Sequence, residues 1–170
     1  MGWSAADYAA WFAAGAARLL ETLRAADPAA EVWTNGRDHH VRYWARRILF
    51  EAVVHRADAE LAVGMTPQIA DAVAADGVDE LLANMPAFSW VAERQRRLDP
   101  AHVLRFETGA HAWVINPVAE PVEGEPTATV RAAAGDLLLL VYGRIGLEDD
   151  GIAVTGDRRF LGEWLAASAL

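Results

Sequence analysis

Glu51 and His55 are the residues of this sequence whose types and spacing best suit chemistry. A carboxylate and an imidazole four positions apart share one face of a helix. A carboxylate oxygen and a ring nitrogen can converge there on one divalent ion, as paired histidines do on metalloprotease helices. Val41, Trp44, Ile48, Glu51, His55 and Asp58 follow one another in alternating steps of three and four, so all fall on that face. Trp44 and Ile48 predict that the face looks into the core, where an unpaired charge is costly and needs a partner. Two readings follow from the residues alone: Glu51 pairs with an arginine and His55 is a hydrogen-bonded core histidine, or both hold a metal.

The other histidines do not extend the pair within one chain. His39 and His40 begin the same helix, about 17 Å along the axis from Glu51 at ~1.5 Å per residue, and are expected as solvated first-turn residues. His102 and His111 lie in the second half, where His111 beside Trp113 reads as a strand packing residue.

The elements that must position Glu51 and His55 are helical. Ser4 and Asp7 have capping-box spacing, and Tyr8, Trp11, Phe12, Ala16, Leu19 and Leu23 recur at helical intervals up to Asp27-Pro28. Asn35-Gly36 predicts a turn, Asp38 an N-cap, and a long helix runs over 39–63, closed by Gly64. Thr66-Pro67 opens a third helical region, interrupted at Gly77 and resuming through Leu81-Leu82. After Met85-Pro86 the character changes. Stretches 102–108, 112–116, 127–132 and 152–155 read as strands, 137–142 as a buried helix and 158–167 as a closing helix. The fold class is α+β, with three main helices over 1–86 and a small α+β domain over 87–170.

Composition narrows the function. With 54% hydrophobic residues in 170, the chain can bury a core. The net charge of −9 opposes binding to nucleic acid, which requires clustered Lys and Arg. Without cysteine there is no disulfide, thiolate metal site or thiol nucleophile, so any thiol chemistry uses a thiol brought by a small molecule. No stretch approaches the roughly 20 apolar residues of a membrane helix, and no secretory signal opens the chain, so a cytoplasmic location is expected.

The segment from Tyr43 to Glu60, centred on Glu51-Ala52-Val53-Val54-His55-Arg56-Ala57-Asp58, resembles the signature of the mycothiol-dependent maleylpyruvate isomerase family, a branch of the DinB-like four-helix bundles. The resemblance extends to Ala74–Leu82, to Gly135–Arg144 and to Val154-Thr155-Gly156-Asp157, which look like the family's C-terminal α+β domain. It implies a DinB-like helical portion, truncated to three helices, followed by that domain. It implies Glu51 and His55 as ligands of a divalent metal, zinc by expectation, and mycothiol as cofactor. The implied reaction is cis-trans isomerisation of maleylpyruvate: the metal-activated thiol adds to the double bond, permits rotation and leaves. Related members transfer the thiol instead.

Arg144 matches a family position implicated in activity, where a guanidinium can hold the carboxylate of a substrate or thiol cofactor. Its alternative is an arginine completing the dipole of the preceding helix. Arg56 and Asp58, two apart and so on different faces, are expected to tie the helix to neighbours.

Catalytic zinc generally has three protein ligands. The family supplies the third as a His from an earlier helix, in a segment resembling Gly-Trp-Thr followed by His. Here Gly2-Trp3-Ser4 would place that position near Trp11, which cannot ligate; if the first helix instead matches a later one of the family, the His-bearing segment falls outside this sequence. Three helices leave an apolar stripe uncovered, so a homodimer that restores the bundle is expected, anchored by Trp11, Phe12 and Trp33. The alternative to a metal-dependent isomerase or S-transferase is a non-catalytic dimeric binding protein that keeps the fold without a complete metal site.

Overall fold

The computed structural model describes residues 2–170. Helix α1 (Ala5–Ala25) starts in the expected capping box: the Ser4 hydroxyl accepts from the Asp7 amide at 3.3 Å, and the Asp7 carboxylate accepts from the Ser4 amide at 2.8 Å. Helix α2 (Val41–Ala62) follows a loop held by a bridge between Glu31 and His40. His40 takes the N-cap position without a side-chain cap, while the expected cap Asp38 instead accepts from Arg42 at 2.6 Å and bonds the His40 ring. At the far end Gly64 adopts φ +75° and the Met65 amide reaches back to the Glu60 carbonyl, a turn that satisfies an orphaned carbonyl and ends the helix.

Helix α3 (Asp71–Asn84) is continuous through Gly77, where the sequence predicts a break. A Cβ there would stand 2.8 Å from Leu138 Cδ1 and 3.0 Å from Phe50 Cδ1. The glycine therefore marks close packing of three helices rather than an interruption. A 3-10 turn (Met85–Ala87) leads into α4 (Ser89–Gln95), a short helix whose weak periodicity the sequence reading passes over.

Beyond it, β1 (Leu104–Glu107), β2 (Ala112–Ile115), β3 (Ala128–Arg131) and β4 (Ala153–Gly156) form one sheet in the order β2-β1-β3-β4. β1 and β3 are parallel, and both edge pairings are antiparallel. Leu104 and Phe106 of β1 point into the core while Arg105 and Glu107 alternate outward, the period of two that makes a half-buried strand. Helix α5 (Ala134–Val141) is buried nearly all round, as a helix apolar on every side must be. Helix α6 (Arg158–Ser168) is capped by Asp157 and inserts Trp164 against Phe106, with the indole N–H donating to the Pro117 carbonyl at 2.9 Å.

Val78, Leu81 and Leu82 of α3 share one hydrophobic core with Leu104, Phe106, Leu137, Leu138, Leu161 and Trp164. The change of residue character at Met85-Pro86 suggests a boundary near residue 86. In the packing, however, α3 lies against α5 and belongs to the core of the second half. Helix α1 contributes no buried residue to any core. Among the described residues no helix is long and apolar enough to cross a membrane.

Candidate functional site

Which face of α2 is buried decides the environment of Glu51 and His55. The core takes Tyr43, Arg47, Phe50, Val54 and Ala57. The row from Val41 through His55 to Asp58, expected to face the core, is its neighbour on the helix surface and borders an open cleft. Both rows carry apolar residues at helical spacing. The first wins because Gly77 makes room for Phe50, and because α3 and the residue after α5 supply partners for Arg47. His55 is 64% exposed along its side chain and Glu51 45%, so His55 is not a core histidine.

The charged groups join into one chain of contacts. Arg47, only 7% exposed, donates from Nη1 to Glu80 Oε2 at 2.6 Å and to the Tyr142 hydroxyl at 3.0 Å, and from Nη2 to Glu51 Oε1. The other Glu51 oxygen, Oε2, lies 3.3 Å from His55 Nε2. His55 Nδ1 is 2.9 Å from Asp58 Oδ2. Asp58 in turn accepts from Arg144 Nε at 2.9 Å and Nη2 at 3.1 Å, a two-pronged pair, while Arg144 Nη1 donates to the Tyr142 carbonyl at 2.7 Å. Tyr142 thus closes the circuit through its hydroxyl at one end and its carbonyl at the other.

The electrostatics follow from these contacts. The Arg144 hydrogen bonds, followed by that of His55, hold the Asp58 carboxyl down at about 2. The two ring nitrogens of His55 thus face two carboxylates, Nδ1 toward Asp58 and Nε2 toward Glu51. Burial raises the Glu80 carboxyl above its ordinary value, against the pull of Arg47, and pushes the Tyr142 phenol up to about 12.

Of the residues singled out from the sequence, Glu51, His55, Asp58 and Arg144 are brought together. Arg144 is engaged by Asp58 and by the Tyr142 carbonyl. Arg56 donates to the Gln68 carbonyl at 2.8 Å, tying α2 to the loop before α3. The remaining histidines are elsewhere: His39 contacts Thr34, His40 contacts Asp38, His102 stacks on Phe160, and His111 lies beside Trp113. Among the described residues no group of three or more histidine or acidic side chains is arranged to hold a metal ion. The sequence reading misses Arg47, Glu80 and Tyr142. The four-residue step from Arg47 to Glu51 was the available signal, whereas Glu80 and Tyr142 lie 33 and 95 positions from Arg47 and give none.

The cleft bordered by Glu51 and His55 lies between α1 and α2 and measures about 740 Å³. Its walls are mostly apolar, with Trp11, Phe12 and Leu19 on one side and Ile48 on the other.

Comparison with known proteins bears on the family of the whole chain. The family model described as the mycothiol maleylpyruvate isomerase N-terminal domain matches residues 3–60, and the one described as the MDMPI C-terminal domain matches residues 72–163. No curated protein and no solved structure matches the chain. The fold is accordingly α+β, a DinB-like helical portion followed by the C-terminal domain. The C-terminal match alone covers more than half of the sequence and the N-terminal one includes Glu51 and His55, so the chain belongs to the mycothiol-dependent maleylpyruvate isomerase family.

Proposed function

We propose that this protein is a maleylpyruvate isomerase-like enzyme that uses mycothiol and a divalent metal, zinc by the character of its donors, for isomerisation or thiol S-transfer on a small carboxylate substrate. The observation that carries the reading is the approach of His55 Nε2 to Glu51 Oε2 at 3.3 Å with Nδ1 held by Asp58. Two ligands each ~2.0–2.1 Å from a tetrahedral zinc stand roughly 3.3 Å apart, so the pair fits two corners of such a site. A third protein donor is needed, and none of the described residues supplies it within one chain.

A metal held there would supply a lowered thiol pKa, so that a thiolate forms near neutral pH. The chain's own residues have separate tasks. Asp58 holds His55 at Nδ1, so that Nε2 would be the nitrogen offered to a metal, and Arg144 keeps Asp58 ionised and in place. Arg144 acts mainly as a positioning residue. A substrate carboxylate would meet the guanidinium N–H groups that Asp58 and Tyr142 leave free. The cleft's volume lies within the roughly 300–1,000 Å³ of small-molecule sites, and its apolar walls limit water around a reacting double bond.

The test is metal analysis of protein purified without a histidine tag, as wild type and as His55→Ala, followed by turnover of maleylpyruvate with mycothiol. Stoichiometric zinc that disappears in His55→Ala is expected. A wild type that stays metal-free after zinc loading overturns the metal reading. One feature favours the second reading, a non-catalytic binding protein: Arg47 already occupies one Glu51 oxygen. A folded, metal-free protein without turnover would decide for it.

A further inference from the structure

We propose that the exposed apolar face of α1 is the interface of a homodimer in which α1 of a second copy of this chain packs on it, closing over the cleft that Glu51 and His55 border. Helix α1 has 21 residues and none is buried; Tyr8, Trp11 and Phe12 are 59%, 60% and 70% exposed. A helix without tertiary burial is only marginally stable in water, since most helical stability in proteins comes from packing an amphipathic face.

The area argues for a cover of substantial size. A compact monomer of this mass exposes about 8,200 Å², and this chain exposes 9805 Å². The excess of about 1,600 Å² exceeds the ~800 Å² that each partner gives to an interface of standard size.

The pattern of α1 argues that the cover is another copy. Its apolar stripe has large residues near both ends, Tyr8, Trp11 and Phe12 toward one and Leu19, Leu20 and Leu23 toward the other, with Gly15 and Ala16 between. An antiparallel two-fold that sets Gly15 of one helix against Ala16 of the other brings Phe12 opposite Leu19 and Tyr8 opposite Leu23, each pair twice, as an isologous contact requires. The helix carries Asp7, Glu21, Arg18 and Arg24 and is thus neutral in a chain of net charge −9, so this face meets its copy without the repulsion of the rest of the surface.

Gly15 and Ala16 line the same cleft as Glu51 and His55, so the proposed axis passes beside that pair. Two copies then present two Glu–His pairs to one interior, which would provide the donors a single chain lacks. The dimer itself rests on the surface of α1 and not on the metal reading.

The test is the mass of the intact protein by light scattering and sedimentation at micromolar concentration, for wild type, Phe12→Glu with Leu19→Glu, and Trp90→Glu. Trp90 is half exposed on α4, away from the face. A wild-type and Trp90→Glu mass of twice the chain, falling to one chain in the α1 variant with an unchanged circular dichroism spectrum for the remaining helices, is expected. A monomeric wild type, or association that survives the α1 substitutions or is lost in Trp90→Glu, overturns the proposal. A zinc-free dimer leaves the interface standing and removes only the metal reading. Zinc bound stoichiometrically by a monomer does the reverse.

Discussion

Arg47 and Glu80 are buried together, at 7% and 1% exposure, and each leaves the other uncompensated when removed. Arg47→Met alone should lower stability by ~3–5 kcal/mol, the usual cost of orphaning a buried charge, whereas combining it with Glu80→Leu should recover most of that loss. Urea midpoints of the two variants check this; a double variant no better than the single would show that the pair does not act as a unit. Asp58 and Arg144 are a different case, 35% and 26% exposed, so screening keeps their contribution at about 1 kcal/mol or less. The Asp58 carboxyl is depressed to about 2 in the folded state, below the ~3.9 of a free aspartate. A depressed acid stabilises fully above its unfolded value and loses that contribution as pH falls through the folded one. The difference in melting temperature between wild type and Asp58→Asn should therefore be constant at neutral pH and shrink between about pH 4 and pH 2.

Gly77 shows how an element can contradict its local propensity. Glycine inside a helix costs roughly 1 kcal/mol relative to alanine, so Gly77→Ala would be stabilising on a free helix. In this fold the new methyl would press on Leu138 at 2.8 Å and Phe50 at 3.0 Å. Overpacking of that kind costs about 1–3 kcal/mol, so the expected net effect is a loss of about 1 kcal/mol, read as a lower melting temperature. An increase would mean that Leu138 rotates away freely. Helix α1 is the opposite case, its propensity unsupported by packing. In a monomeric α1 variant its amides should exchange faster than those of α3 and α5, whose residues fill the core.

Across the whole molecule, α2 is fastened to the second half by Phe50 and Val54 in the core and by a set of charges: Arg47 to Glu80 and Tyr142, Asp58 to Arg144, Arg46 to Asp76. The candidate site hangs from that fastening, with Glu51 on Arg47 and His55 on Asp58. A ligand that binds only the native state raises its stability, by ~2.7 kcal/mol at a hundredfold excess over its dissociation constant. Zinc in such excess should raise the wild-type melting temperature by roughly 5–10 °C, at a few degrees per kcal/mol for a chain of this size, and leave His55→Ala unmoved. Equal shifts in both proteins would assign the effect to zinc bound elsewhere.

Much of this was legible in the sequence because it is local. The Ser4–Asp7 cap, the Gly64 stop, and the strand over 102–108 and closing helix over 158–167 are each set within a few residues. The Glu51–His55 spacing and the motif around it that resembles the family are local as well, and the two family-model matches bear the resemblance out. The tertiary structure decided which of two adjoining apolar rows of α2 is buried, that α3 runs on through Gly77, and that α3 packs with the second half. It also decided the partners of the site, since Arg144 meets Asp58 across 86 positions of sequence and Glu80 meets Arg47 across 33. Helical periodicity fixes which residues share a face. Which face is buried depends on the shape and charge of elements distant in the chain, and those become neighbours only in the folded molecule.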